Sequence, residues 1–145
     1  MNRHKILVVD DDLVIIKAFS MKLTAAGYQV VTALEASQAI AAARREKPDL
    51  ILLDINFPID IGSDWDGFKI IAWLQRLEEV KGRPVVVISG GEASKFKARA
   101  LAAGAIAYFQ KPVKTDELLT LIKLTLGGET ETPEKKPDAP TGVSA

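Results

Sequence analysis

The chain predicts an α/β fold built on a five-stranded parallel sheet, and three observations carry that prediction. Short apolar runs alternate with helix-patterned segments along most of the chain. The runs are continuously apolar and rich in Val, Ile and Leu, as expected of strands covered on both faces. Glycine, proline or clustered charge separates one segment from the next. The resulting order is βαβαβαβαβα, which right-handed crossovers wind into a doubly wound sheet. Five strands favour the flavodoxin-like order 2-1-3-4-5 flanked by five helices, with ligands gathered at the carboxyl ends of the strands.

The elements follow in turn. "KILVVD" (5–10) is the first strand. Residues 13–26 set Ile16, Phe19 and Leu23 on one helical stripe before Gly27, a natural stop. "YQVVTA" (28–33) is less uniformly apolar and predicts an edge strand. The alanine-rich stretch 37–47 predicts a helix with Ser37 as its N-cap, ended by Pro48. "DLILLD" (49–54) is a strand, and 67–79 a helix carrying Phe68, Ile71 and Leu74. "PVVVIS" (84–89) is a strand, 93–103 a helix ending before Gly104, and "AIAYFQ" (105–110) the last strand. Residues 115–126 open with Thr115, Asp116 and Glu117, acids that suit a helix N-terminus. One domain over 1–126 is expected. The remainder, 127–145, is rich in Pro, Gly, Thr and charge, with Val143 its one large apolar residue, and predicts a disordered tail.

Composition narrows the function classes. Nineteen basic and nineteen acidic residues cancel, so no net field favours nucleic acid or an anionic membrane as partner. The absence of cysteine excludes disulfides and thiolate chemistry. The apolar run after "MNRHK" meets "DDD" too soon for a signal-peptide core, and no run reaches membrane length. A soluble, cytoplasmic protein is expected.

The predicted strand ends carry the chemistry. The first ends in Asp10-Asp11-Asp12, the third in Asp54, the fourth in Ser89 and the fifth in Lys111-Pro112. Carboxylates gathered on one rim repel unless a cation neutralises them. With oxygen ligands and neither His nor Cys, Mg²⁺ fits, with Mn²⁺ possible. A carboxylate beside such an ion can attack phosphorus and form an aspartyl phosphate. Lys111 would offer a positive charge and Ser89 a hydroxyl to the transferred oxygens, with Gly90 and Gly91 leaving room and N–H groups beside them.

These segments also resemble a known family. "ILVVDDD", "LILLDINFP", "WDG", "VVVISGG" and "AYFQKP" stand in the order and spacing of the response-regulator receiver domain, over about residues 4–126. The resemblance implies that Asp10 and Asp11 form the acidic metal-binding pair and that Asp54 is the phosphoacceptor. It implies that Asn56 offers its backbone carbonyl to the metal, that Ser89 and Tyr108 are the switch residues, and that Lys111 contacts the phosphate. It further implies a cis Lys111-Pro112 bond and a phosphohistidine donor on a sensor histidine kinase or a histidine phosphotransfer protein. The readout face would be helix 4, strand 5 and helix 5, meeting a downstream protein target, with the chain a monomer or a phosphorylation-dependent dimer. A receiver is not an enzyme in the ordinary sense, because it catalyses only its own phosphorylation and dephosphorylation. With no output domain after 126, a stand-alone receiver or phosphorelay member is the expectation.

Other readings compete with this one. "DDDLV" (10–14) also fits the nucleophile motif of haloacid-dehalogenase-type phosphatases, with Asp10 as nucleophile and Asp12 as acid, but acidic ligands are lacking after Lys111. A phosphorylation-independent interaction module would be expected to have lost the acidic pair, the acceptor or the lysine. Asp12 reads as a helix cap or solvated carboxylate, Tyr108 alternatively as plain packing, and His4 as solvated. Lys95, Lys97 and Arg99 read as a solvated face or a partner contact, and Trp73 as packing beside the helix 3 stripe. One departure from the family remains. Seven residues separate Pro58 from Asp66, where receivers generally have a couple. The insert, with Asp60, Asp64 and Trp65, lacks the spacing of a calcium loop and reads as a surface elaboration or a screen over Asp54.

Overall fold

A computed structural model of the chain describes residues 4–55, 67–90 and 93–127. The elements are β1 (Lys5–Val9), α1 (Leu13–Ala25), β2 (Gln29–Ala33), α2 (Ala36–Glu46), β3 (Leu50–Asp54), α3 (Gly67–Arg76), β4 (Val85–Ser89), α4 (Ala93–Ala103), β5 (Ala107–Gln110) and α5 (Thr115–Leu126). All four strand pairings are parallel and the order is β2-β1-β3-β4-β5, as predicted. β3 and β4 are buried at every residue, whereas β2 at the edge is buried only at Ala33. The difference in apolarity between the runs therefore reflects position in the sheet.

Strand alternation divides the core into two layers. Leu7, Val9, Ile51, Leu53, Val85 and Val87 face Ala39, Ala43, Ile70, Ile71, Leu74 and Ala100 of α2, α3 and α4. Ile6, Val8, Leu50, Leu52, Val86 and Ile88 face Ile16, Phe19, Leu23, Leu118 and Ile122 of α1 and α5. The alanines of α2 bring that helix close to the sheet at little side-chain entropy cost. Between α3 and α4, the Arg99 guanidinium lies 3.9 Å over the Phe68 ring, and Phe96 sits 6.0 Å from the same ring. Arg99 thus already has a partner within the domain, while Lys97 is exposed; the side chain of Lys95 lies outside the description. Trp73 stands 42% exposed beside the buried Ile70, Ile71 and Leu74.

Several boundaries differ from the sequence prediction. Ser37 is not the cap of α2. The cap is Glu35, which makes no side-chain cap bond, and the Ser37 hydroxyl donates to the Glu35 carboxylate at 2.8 Å. α3 ends at Arg76, after which the chain tightens into i→i+3 bonds from Leu77 to Leu74 and from Val80 to Leu77. β5 begins at Ala107, two residues later than expected, because the Ala105 N–H folds back to Ala100 O at 3.0 Å and closes α4. Gly104, at φ +119, makes that reversal possible. Gly127, the first residue of the tail expected over 127–145, is the left-handed C-cap of α5, and the rest of that tail lies outside the described residues. No helix among the described residues is long and apolar enough to cross a membrane.

Candidate functional site

Strand register assembles the site. Val9 is level with Leu53, so the next residues, Asp10 and Asp54, emerge side by side at the carboxyl edge of the sheet. Asp54 is level with Ile88 on the other side, and Ser89 with Gln110. Ser89 and Lys111 therefore follow at the same rim, and the Lys111 N–H donates to Ser89 O at 2.8 Å.

Asp10, Asp54 and Ser89 are the buried polar residues among those described, at 2%, 3% and 0% exposure. The Lys111 ammonium lies between the two carboxylates, donating to Asp10 Oδ2 at 3.0 Å and Asp54 Oδ2 at 3.3 Å. The peptide bond after it, Lys111-Pro112, is cis, as the resemblance implied. Burial disfavours the charged amine and is the largest single influence on it. It is outweighed by the hydrogen bond to Asp10 and the fields of Asp54 and Asp10, which together hold the ammonium above the ordinary lysine range.

Asp11 joins the cluster from the exposed side. One carboxylate oxygen from each of Asp10, Asp11 and Asp54 lies within 4.8 Å of the others. Lys111 pairs with Asp10 and Asp54 and Asp11 adds a third carboxylate, so negative charge remains in a partly buried setting. That surplus, in an all-oxygen donor set, fits a hard divalent cation such as Mg²⁺. Asp12 stands outside the trio. Its side chain accepts from the Val14 N–H at 2.9 Å as the N-cap of α1, bearing out the helix-cap reading. Asn56 lies outside the described residues, as do Gly91 and the insert with Asp60, Asp64 and Trp65.

Tyr108 is half-buried and packs on the α2–α3–α4 layer. It is level with Val87, and alternation along β4 puts Ser89 on that same face, one step toward the rim. Two features escaped the sequence reading. Leu13 and Val14, 65% and 75% exposed, line the cleft over Asp54 together with Gly90. A second, apolar groove runs between α1 and the start of α5, lined by Ile15, Phe19 and Val113, with Lys111 and Pro112 at its boundary. Leu13 and Val14 gave no signal because they lie outside the stripe of Ile16, Phe19 and Leu23 that the helical pattern picks out.

The chain is similar to known proteins over most of its length. The family model described as response regulator receiver domain matches residues 6–123. The transcriptional regulatory protein KdpE of Mycobacterium tuberculosis is 36% identical over 129 residues, covering 89% of this chain and 54% of the relative. The chain thus spans about half the length of that relative. The polar-differentiation response regulator DivK of Brucella ovis is 29% identical, covering 84% of this chain and 95% of its own. Among solved structures, a CheY-like receiver domain protein from Methanospirillum hungatei superposes with a TM-score of 0.77 at 30% identity, over 89% of this chain and 98% of the other. The chemotaxis response regulator CheY4 of Vibrio cholerae gives 0.76 at 27% identity, over 86% and 99%. With its strand order, acidic rim and matched length together, this chain belongs to the response regulator receiver domain family of two-component systems.

Proposed function

We propose that the chain is a phosphoacceptor that takes a phosphoryl group onto Asp54 from the phosphohistidine of a sensor kinase or histidine phosphotransfer protein. The observation that carries this reading is the pairing of a 3%-exposed Asp54 with the Lys111 ammonium beside two further carboxylates. An Asp54 oxygen attacks phosphorus while the P–N bond breaks and its electron pair returns to the imidazole. Lys111, already at 3.3 Å, follows the negative charge from the carboxylate to the new phosphoryl oxygens. Ser89 donates its hydroxyl to another of those oxygens. Bound Mg²⁺ or Mn²⁺, held by Asp10, Asp11, Asp54 and the Asn56 carbonyl, would neutralise phosphoryl charge.

Asp10 is held in place through both of its carboxylate oxygens. Its Oδ1 accepts from the Asp12 N–H at 2.9 Å and its Oδ2 from Lys111, so both oxygens are engaged. That favours a positioned ligand over the phosphatase alternative. After transfer, Ser89 is drawn toward the phosphoryl group and Tyr108 turns into the space released on their common face. The α4–β5–α5 surface then changes for a downstream protein target, as a shift between two populated states. The chain would act as a cytoplasmic signalling component, a monomer or a phosphorylation-dependent dimer, catalysing only its own phosphorylation and dephosphorylation.

Acetyl phosphate with Mg²⁺ tests the reading. One phosphoryl group should appear by intact mass and map to Asp54 after borohydride trapping, and Asp54→Asn should abolish it. Normal labelling of that variant, or a label mapped to Asp10, would falsify the assignment.

A further inference from the structure

We propose that Asp12 is a positioning residue for the acidic cluster, acting through the shape of its helix cap and not through its charge. The inference rests on the metal-binding reading of Asp10, Asp11 and Asp54, and extends it to a residue outside that trio. Asp12 is tied at three points. Its Oδ1 accepts from the Val14 N–H at 2.9 Å, its carbonyl from the Ile16 N–H at 3.0 Å, and its own N–H donates backward to Asp10 Oδ1 at 2.9 Å.

The first two bonds belong to the helix and the third to the site. With φ −94 and ψ 109, Asp12 holds the extended conformation of an N-cap, which aims its N–H back toward the end of β1. Asp10 is anchored separately, its N–H bonded to Ala33 O at 3.1 Å. Asp11 therefore lies between two fixed neighbours, and the direction of its exposed carboxylate follows from the turn they make. The side-chain cap is not shared by the other helices whose N-caps are described. Neither α2 nor α5 has a side-chain bond at its N-cap, whereas the helix that begins beside the acidic cluster does. Asp12 contributes no oxygen to the cluster, so its carboxylate acts at one remove.

Charge and cap can be separated by substitution. Asp12→Ser and Asp12→Asn keep a capping oxygen and lose the charge. Asp12→Glu keeps the charge on a side chain poorly suited to capping, and Asp12→Ala loses both. Mg²⁺ alone is titrated by calorimetry, and Mn²⁺ by electron paramagnetic resonance, well below the melting temperature of each variant. Positioning through the cap predicts that Ser and Asn bind within about twofold of the wild type, while Glu and Ala weaken binding on the order of tenfold. Hydrogen exchange without metal gives an independent readout: the amides of residues 12 and 14 should stay protected in the Ser and Asn variants and open in Glu and Ala. An affinity order that follows charge, with Glu near wild type and Ser and Asn weakened, overturns the proposal, as do four variants that all bind like wild type. A wild-type chain that binds neither ion defeats the metal-site reading itself, a result distinct from any reordering among the variants.

Discussion

The two edges of the sheet use the same residue types to opposite ends. At the amino edge, Lys5 pairs with Glu46 at 3.0 Å, Arg45 with Glu46 at 3.0 Å and Arg83 with Asp49 at 3.3 Å, while the Lys5 N–H donates to Asp49 at 2.8 Å. Those side chains are between 26% and 64% exposed, and each acid has a cation beside it. The hydrogen bonds from Lys5 and then Arg45 hold the Glu46 carboxyl below its ordinary range. At the carboxyl edge, Asp10 and Asp54 have side chains 3% exposed and share the ammonium of Lys111 with each other. Balanced, half-exposed pairs tie α2 and the strand starts together at modest gain. An unbalanced, buried set costs stability unless something else occupies it. The difference marks the carboxyl edge as the place where ligand binding repays the arrangement.

The largest effect expected is at Asp54. Asp54→Asn should eliminate phosphoryl transfer from acetyl phosphate, while changes at Asp49 or Glu46 leave it intact. Residual labelling in the first, or loss in the second, would erase the contrast between the edges.

Next in size is removal of the shared cation. Lys111→Met leaves Asp10 and Asp54 facing each other without an ammonium and should lower metal-free stability by roughly 3 kcal/mol, the scale for breaking a buried ion pair. Mg²⁺ should restore part of that loss, since it supplies positive charge to the same carboxylates. Urea denaturation with and without Mg²⁺ checks both statements. A loss that Mg²⁺ does not touch would mean that the carboxylates are not where the cation acts.

Much of this comparison was legible in the sequence. Each apolar run became a strand, and a run that ends in Asp or Ser places a polar group at the rim whatever its register. That Asp10 and Asp54 are level follows from the pairing of Val9 with Leu53, which no single strand encodes. The capping role of Asp12 was visible, because an acid just before an apolar helix is a local signal. Its backward bond to Asp10 was not, since it depends on how the turn closes. Ser37 misled for a related reason: a good capping residue two positions too late looks the same in sequence as a cap. Leu13 and Val14 lie outside the stripe of Ile16, Phe19 and Leu23, and their place over Asp54 depends on packing that no local pattern encodes.

A smaller effect comes from pH. The Lys111 pKa is raised on folding, so its contribution to stability is complete below the ordinary lysine value of 10.5 and is lost as pH rises through the higher folded value. Metal-free protein should therefore lose stability above pH 10.5 more steeply than Lys111→Met does. Parallel curves for the two proteins would show that the ammonium gains nothing from its carboxylates.

The smallest effect is expected at the amino edge, and it is the one that most sharpens the contrast. Arg83→Ala removes one side of a pair whose side chains are 47% and 26% exposed. Water can solvate Asp49 after the change, and Asp49 keeps the N–H of Lys5 at 2.8 Å, so the carboxylate is not stranded. The loss should stay below about 1 kcal/mol, shrink further in high salt, and be indifferent to Mg²⁺. Lys111→Met should differ on all three counts, because its carboxylates are only 3% exposed and are the same ones that would hold the metal. If Arg83→Ala proved as costly as Lys111→Met, or responded to Mg²⁺, burial would not be what separates the two edges. The stability of the acidic rim would then have to come from the packing of β3 and β4 around it.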